Sequence, residues 1–325
     1  RMLNQRKEQV GNKVPLVSVH CATYNHGRYI KDALEGFVSQ RTDFPFEVFV
    51  HDDASTDSTA RIIREYAERF PSLIVPILQE ENQRSKGIPI LRTHVLPKMR
   101  GRFIAFCEGD DYGCDDGKLQ MQVDCLESQP EAVACVHNTE MVGSEGNRLG
   151  YASTVRKSGM LEMSALVRES GAYHTSSLMC KKSYYEQPRP EFVSMTRGVG
   201  DYPMRLALAF SGGIYYLDRV MSVYRFQVEG SWSTRMARDS AAAAQTRESV
   251  IAMLEGANEY SNHEHSELFE WAIKEQRYAL MDLRHEWKDM MSSEMRTIRA
   301  TKPLRHRARI ALSAINRSLG EYLAP

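Results

Sequence analysis

From residue 16 to residue 137 the chain alternates short apolar runs with stretches whose apolar residues recur every three to four positions. The runs Leu16–Ala22, Phe46–His51, Leu73–Leu78, Phe103–Glu108 and Ala132–His137 predict buried strands. Between them, Tyr29, Ile30, Ala33, Leu34, Phe37 and Val38 predict a helix over Gly27–Gln40. Ile62, Ile63, Tyr66, Ala67 and Phe70 predict another over Ser58–Phe70, and Leu119, Val123 and Leu126 a third over Lys118–Ser128. Strand–helix alternation of this kind predicts an α/β fold, a mostly parallel sheet with helices on both faces. Ligands of such sheets sit beyond the carboxyl ends of the strands. Residues 138–235 are less regular, with a helix expected over Tyr202–Phe210 and two short strands, Ile214–Leu217 and Val220–Phe226. From about Asp239 the chain turns rich in Ala, Glu, Gln and Met, which predicts helices over 239–258 and 264–291 and a last one from Pro303 to about Leu319.

Three domains are expected: a polar lead-in over 1–13, an α/β domain over 14–235 and a helical region over 236–325. The 42% hydrophobic content suffices for a full core, and the 42 basic and 42 acidic residues leave no net charge to attract nucleic acid. The six cysteines show no C-x-x-C spacing and several fall in apolar runs, so buried, reduced thiols and a cytoplasmic setting are expected. No run reaches the roughly 18 apolar residues of a membrane span, and residues 1–13 lack a signal-peptide core. From Arg296 to Arg317 there are seven Arg or Lys and no Asp or Glu, interleaved with Ile310, Leu312 and Ile315, and Leu319 follows. Such a helix either packs by its apolar face or lies on anionic lipid, a peripheral membrane contact through residues 296–325.

The chemistry is concentrated where strands end. Glu108-Gly109-Asp110-Asp111-Tyr112 follows the fourth apolar run, and crowded carboxylates at a strand end call for a neutralising cation or ligand. Their hard oxygens suit Mg²⁺ or Mn²⁺, against the plainer reading of a solvated acidic turn. Asp52-Asp53-Ala54-Ser55-Thr56-Asp57 follows the second run. Helix capping accounts for Ser55 and Asp57; a carboxylate at Asp52 or Asp53 would accept the imide N–H of a pyrimidine. Thr23-Tyr24-Asn25-His26-Gly27 ends the first run, with Asn25 expected as an N-cap or as a contact to an anion or base edge. Asp201, within Gly200-Asp201-Tyr202-Pro203, reads as an N-cap or as a general base. His137 and His174 carry no strong expectation. Arg225 is a candidate phosphate clamp or a surface ion pair, and Trp232 lies in a polar aromatic loop beyond it.

Together these residues resemble glycosyltransferase family 2, of the GT-A fold. The resemblance runs from Val17-Ser18-Val19 and Thr23-Tyr24-Asn25 through Asp52–Thr59, Glu108–Tyr112 and Lys118–Gln122 to Gly200–Pro203 and Tyr224-Arg225, roughly residues 14–235. It implies a nucleotide-sugar-binding half over 14–137, an acceptor-binding half over 138–235, and inverting sugar transfer from a nucleoside diphosphate donor with Mn²⁺ or Mg²⁺. Thr23, Tyr24, Asn25, Asp52 and Asp53 would face the nucleotide, and Glu108-Gly109-Asp110 would serve as the D-x-D element. Asp110 and Asp111 would hold ribose and metal, and Asp201 would be the catalytic base. His174, Arg225 and Trp232 are assigned to the acceptor or diphosphate side, and the Asn82–Gly87 loop to the nucleotide's edge. A UDP-sugar donor and a glycan or lipid-linked glycan acceptor of surface polysaccharide synthesis are expected. The chain departs from the family at Gly113, where tryptophan is usual, and at Gln227, where histidine is frequent. These departures favour a competing reading, a non-catalytic sugar-nucleotide-binding subunit. A sugar nucleotidyltransferase would need a glycine- and basic-rich loop that Thr-Tyr-Asn-His-Gly-Arg does not supply.

Overall fold

The computed structural model describes residues 14–168, 172–196, 198–226 and 238–315, with 234 and 236. The lead-in and Leu319 lie outside them. The chain divides into two compact units. The first comprises 1–161, 170–188 and 211–228; the second comprises 162–169, 189–210 and 229–325.

The first unit is an α/β sheet. In chain order it contains β1 (Val17–Thr23), α1 (Ile30–Val38), β2 (Phe46–Asp52), α2 (Thr59–Arg69), β3 (Ile74–Leu78), β4 (Phe103–Glu108), β5 (Tyr112–Gly113) and α3 (Lys118–Ser128). Then come β6 (Ala134–Val142), β7 (Arg148–Tyr151) and β8 (Gly159–Met160) and, after a helix of the second unit, β9 (Met179–Lys181), α5 (Ser183–Glu186) and β10 (Ile214–Arg225). The strand order is β3-β2-β1-β4-β9-β6-β10-β5, with β7 on β6 and β8 on β10. The strands legible as apolar runs pair with one another in parallel: β1 with β2 and β4, β2 with β3, and β6 with β10. Among the described residues every antiparallel pairing involves β5, β7, β8 or β9, which the apolar pattern did not mark. The two strands expected over 214–226 are one, β10, whose register shifts between Leu217 and Val220. At that bulge Arg219 turns outward to pair with Asp115, 2.7 Å away.

One face of β1, through Val17, Val19 and Cys21, packs with Val48 and Val50 of β2 against Ile30, Ala33, Leu34 and Phe37 of α1. The core is built from the periodic positions that predicted the helices. All six cysteines are free and five are buried, Cys114 being the exposed one.

The second unit is helical: α4 (Met163–Leu166), α6 (Asp201–Ser211), α7 (Ser240–Tyr260), α8 (Ser266–Leu283), α9 (Trp287–Met290), α10 (Arg296–Thr301) and α11 (Leu304–Ile315). Asp239 caps α7, its Oδ1 accepting the N–H of Ala242 at 2.9 Å. The single helix expected over 264–291 is broken. His285 adopts φ 59°; its N–H bonds to Asp282 O and the N–H of Glu286 bonds to Met281 O. That is a Schellman stop with histidine where glycine is usual. Along α11, Ile310 is buried while Leu304, Leu312 and Ile315 are exposed, so the apolar positions do not share one buried face. Among the described residues no helix is long and apolar enough to cross a membrane.

Candidate active site

Three parallel strands end level at one edge of the sheet. Thr23 at the end of β1 is in register with Asp52 of β2, and Ala22 with Glu108 of β4. The ladder continues past them through Asp53 N–H to Thr23 O (3.0 Å) and Gly109 N–H to Ala22 O (2.9 Å). The register brings three sequence-distant motifs, 23–27, 52–58 and 108–112, into one cluster.

The first two motifs are bonded to each other. Asn25 sits at φ 55°, a left-handed conformation that asparagine tolerates. Its N–H donates to Ser55 Oγ (2.8 Å), and its Oδ1 accepts the N–H of Thr56 (2.8 Å). It does not cap α1, which begins at Ile30 without a side-chain cap. Asp57 Oδ1 accepts the N–H of Thr59 (2.9 Å), and its Oδ2 accepts that of Gly27 (2.8 Å). Asp52, buried, accepts from the backbone N–H of Ser55 (3.1 Å) and from its hydroxyl. Burial raises its carboxyl pKa against those hydrogen bonds. Asp53 receives the N–H of Gln83 on Oδ1 (2.7 Å) and that of Arg84 on Oδ2 (3.0 Å), which anchors the 82–87 loop beside the strand ends. The Tyr24 ring is exposed at this edge.

The third motif is built differently. Glu108 is exposed while Asp110 and Asp111 are buried, and one carboxylate oxygen from each lies within 4.8 Å of the others. Asp111 Oδ1 accepts the backbone N–H of Arg225 (3.1 Å), and Arg225 Nη1 donates to Asp110 O (2.6 Å). Arg225 also pairs with Asp32 and lies over the rings of Tyr29 and Tyr112. Its side chain is 12% exposed, so it braces the acidic loop from a mostly buried position and is not a surface cation. Asp110 Oδ1 and Asp111 Oδ2 are buried with no hydrogen-bond partner among the described residues, as are Thr23 Oγ1 and His26 Nδ1 beside them. Burial raises the Asp110 carboxyl, and burial together with the charges of Asp110 and Glu108 pushes Asp111 well above the usual carboxylate range. Orphaned buried oxygens are costly unless something completes them. A hard divalent cation fits this donor set.

Gly109 permits the convergence. A Cβ there would stand 2.6 Å from Thr23 Oγ1, 2.7 Å from Thr23 Cβ and 3.0 Å from His26 Nδ1. Gly113 is under no such constraint, since the nearest atom to a Cβ lies at 3.8 Å. His174 stacks on Tyr224 (ring centroids 3.9 Å) and sets Nδ1 2.9 Å from Ser176 Oγ and 3.6 Å from Asp111 Oδ2. His137 is fully buried, its Nδ1 2.7 Å from Asn138 O. Asp201 opens α6 in the second unit and is exposed. Trp232 and Gln227 lie outside the described residues. The pattern did not single out Asp32, a few residues beyond the first motif, or His26, which lies inside it; only the register shows what each faces.

A family model for glycosyl transferase family 2 matches residues 18–186, just over half of the chain. The chain belongs to this family. An uncharacterized protein of Mycobacterium tuberculosis is 36% identical over 216 residues, which span 66% of this chain and 60% of that relative's length. Staphylococcus aureus TarS, a poly(ribitol-phosphate) beta-N-acetylglucosaminyltransferase, is 37% identical over 98 residues, 29% of this chain and 16% of TarS. A crystal structure of its residues 1–349 with UDP-GlcNAc superposes with TM-score 0.58 at 16% identity, covering 93% of this chain and 82% of that one. The mannosyltransferase PcManGT of Pyrobaculum calidifontis, solved with GDP-Man and Mn²⁺, superposes with TM-score 0.55 at 17% identity, covering 97% and 94%. The two structures share the GT-A fold of this family 2 chain.

Proposed function

We propose that this chain transfers a sugar from a UDP-sugar to a hydroxyl of a glycan or lipid-linked glycan, with inversion, in the synthesis of a surface polysaccharide. The observation that carries the reading is the pair of orphaned, buried acidic oxygens in the loop after β4, beside the end of β1, in a chain of glycosyl transferase family 2. TarS, which was solved with UDP-GlcNAc and acts on poly(ribitol phosphate), supports the donor and acceptor classes. PcManGT, solved with Mn²⁺, supports the cation.

In this reading Asp110 and Asp111 hold Mn²⁺ or Mg²⁺, with Glu108 and Thr23 beside them toward the ribose. The bound cation supplies a Lewis acid for the leaving diphosphate. The exposed Tyr24 ring lies against the base, flanked by Asn25. Asp53, whose oxygens each keep a lone pair beyond the bond to the 82–87 loop, accepts the uracil imide N–H. His174 and Arg225 face the diphosphate. Asp201 takes the proton from the acceptor hydroxyl as that oxygen attacks the anomeric carbon from the side opposite the diphosphate, which inverts the centre.

Asp201→Asn tests the base. UDP release from a panel of UDP-sugars with glycan acceptor should fall by about 10²–10⁴, while UDP and Mn²⁺ bind as in the parent. Equal turnover by parent and variant would remove Asp201 from this role.

A further inference from the structure

We propose that His26 is a nitrogen ligand of the cation held by Asp110 and Asp111. The inference rests on the cation site of the proposed function and adds to it a side chain that the acidic motif does not contain.

Among the described residues His26 Nδ1 is buried and has no hydrogen-bond partner; it faces Asp110 Oδ1, equally buried and equally without one, across 3.7 Å. That gap is too long for a hydrogen bond and short enough for two atoms that share one ion. The backbone that carries the ring is held in place. Asn25 and Gly27, on either side, are both bonded to the 55–57 segment, and the carbonyl of His26 accepts the N–H groups of Tyr29 and Ile30 at 2.8 Å each. Beneath the ring, the missing Cβ of Gly109 leaves the space that brings Nδ1 to the strand end. Thr23, 4% exposed, directs a further unpartnered hydroxyl at the same spot. The unfilled donors therefore converge from β1, from the loop after it and from the loop after β4.

His174 is the apparent counterpart, 3.6 Å from Asp111 Oδ2, but its Nδ1 is already engaged by the hydroxyl of Ser176 and by its N–H at 3.3 Å. Its ring is also held against Tyr224. His174 positions the loop and His26 has the vacant nitrogen. An imidazole in an otherwise carboxylate set shifts preference from Mg²⁺ toward Mn²⁺ and Co²⁺.

The test is Mn²⁺ titration of the full chain, with and without UDP, followed by electron paramagnetic resonance. Pulsed spectra of the bound ion should show coupling to an imidazole nitrogen. In His26→Ala that coupling should vanish and Mn²⁺ affinity should fall by about tenfold or more, with a smaller change for Mg²⁺. Bound Mn²⁺ without nitrogen coupling in the parent would overturn the proposal and leave the carboxylate site standing. Coupling that persists in His26→Ala would likewise overturn it. No Mn²⁺ binding by the parent, with or without UDP, would overturn both this proposal and the reading it rests on. The parent spectrum decides the matter even if the variant does not fold.

Discussion

Two acidic loops cap the strands that flank β1 and look alike in sequence, yet they are built to opposite ends. In the loop after β2, the carboxylates of Asp52, Asp53 and Asp57 all accept hydrogen bonds from within the protein. In the loop after β4, Asp110 Oδ1 and Asp111 Oδ2 are buried and accept none. Clustered carboxylates are therefore not one kind of signal. The first set organises three loops around the strand ends; the second leaves two buried oxygens without a partner among the described residues. What separates them is how many of the carboxylate oxygens are met: one backbone N–H, that of Arg225, reaches Asp111 Oδ1, and Asp110 Oδ1 and Asp111 Oδ2 are left over.

The sharpest way to break the comparison is in the satisfied loop. Asp57→Ala removes the acceptor for the N–H groups of Thr59 and Gly27 at once. It should cost about 2 kcal/mol of stability, a lost cap plus a stranded donor, while Mn²⁺ affinity per folded molecule stays within a fewfold. Denaturant melts beside Mn²⁺ titration check this. A collapse of Mn²⁺ affinity with unchanged stability would place Asp57 in the ligand site.

A smaller effect sharpens it from another side. His20 Nε2 is also buried without a partner, but burial, with the nearby His51, pushes its pKa down to about 3. A neutral ring against Phe106 is an apolar packing element, not a vacant ligand. Its folded pKa lies below the ordinary histidine value, so the unfolded chain binds the extra proton. The stability it contributes is present above about pH 6.5 and is lost as pH falls toward 3. His20→Leu should flatten that acid loss by at most about 1.4 kcal/mol per pH unit, the share of one proton. Parallel stability–pH profiles for parent and variant would contradict this.

The parallel frame was legible because its strands are apolar runs buried between layers. The strands that escaped notice, β5, β7, β8 and β9, are two to four residues long, too short to establish a period. The break after Leu283 escaped for a different reason: the left-handed stop falls on His285, and no glycine announces it. At the site, motif residues adjacent in sequence were readable as groups, but their division of labour was not. Asn25, readable as a helix cap or as a contact to an anion or base edge, does not cap α1, and it ties two loops together. Arg225 braces Asp32 and Asp110 from far along the chain. Those pairings follow from strand register and β10 placement, which local pattern does not encode.

On the proposed function, the loop after β4 is incomplete without a cation and nucleotide. The most direct test of this is thermal unfolding of the parent and of Asp111→Asn, each with UDP, with Mn²⁺ and with both. The account predicts stabilisation of the parent by UDP only when Mn²⁺ is present, about 2.7 kcal/mol at one hundred times Kd. It predicts no such shift for Asp111→Asn, together with a higher unfolding temperature of that variant without ligand, since a buried carboxylate crowded by Asp110 and Glu108 has been neutralised. An equal UDP and Mn²⁺ shift in both proteins, or a parent shift with UDP that ignores Mn²⁺, would contradict it.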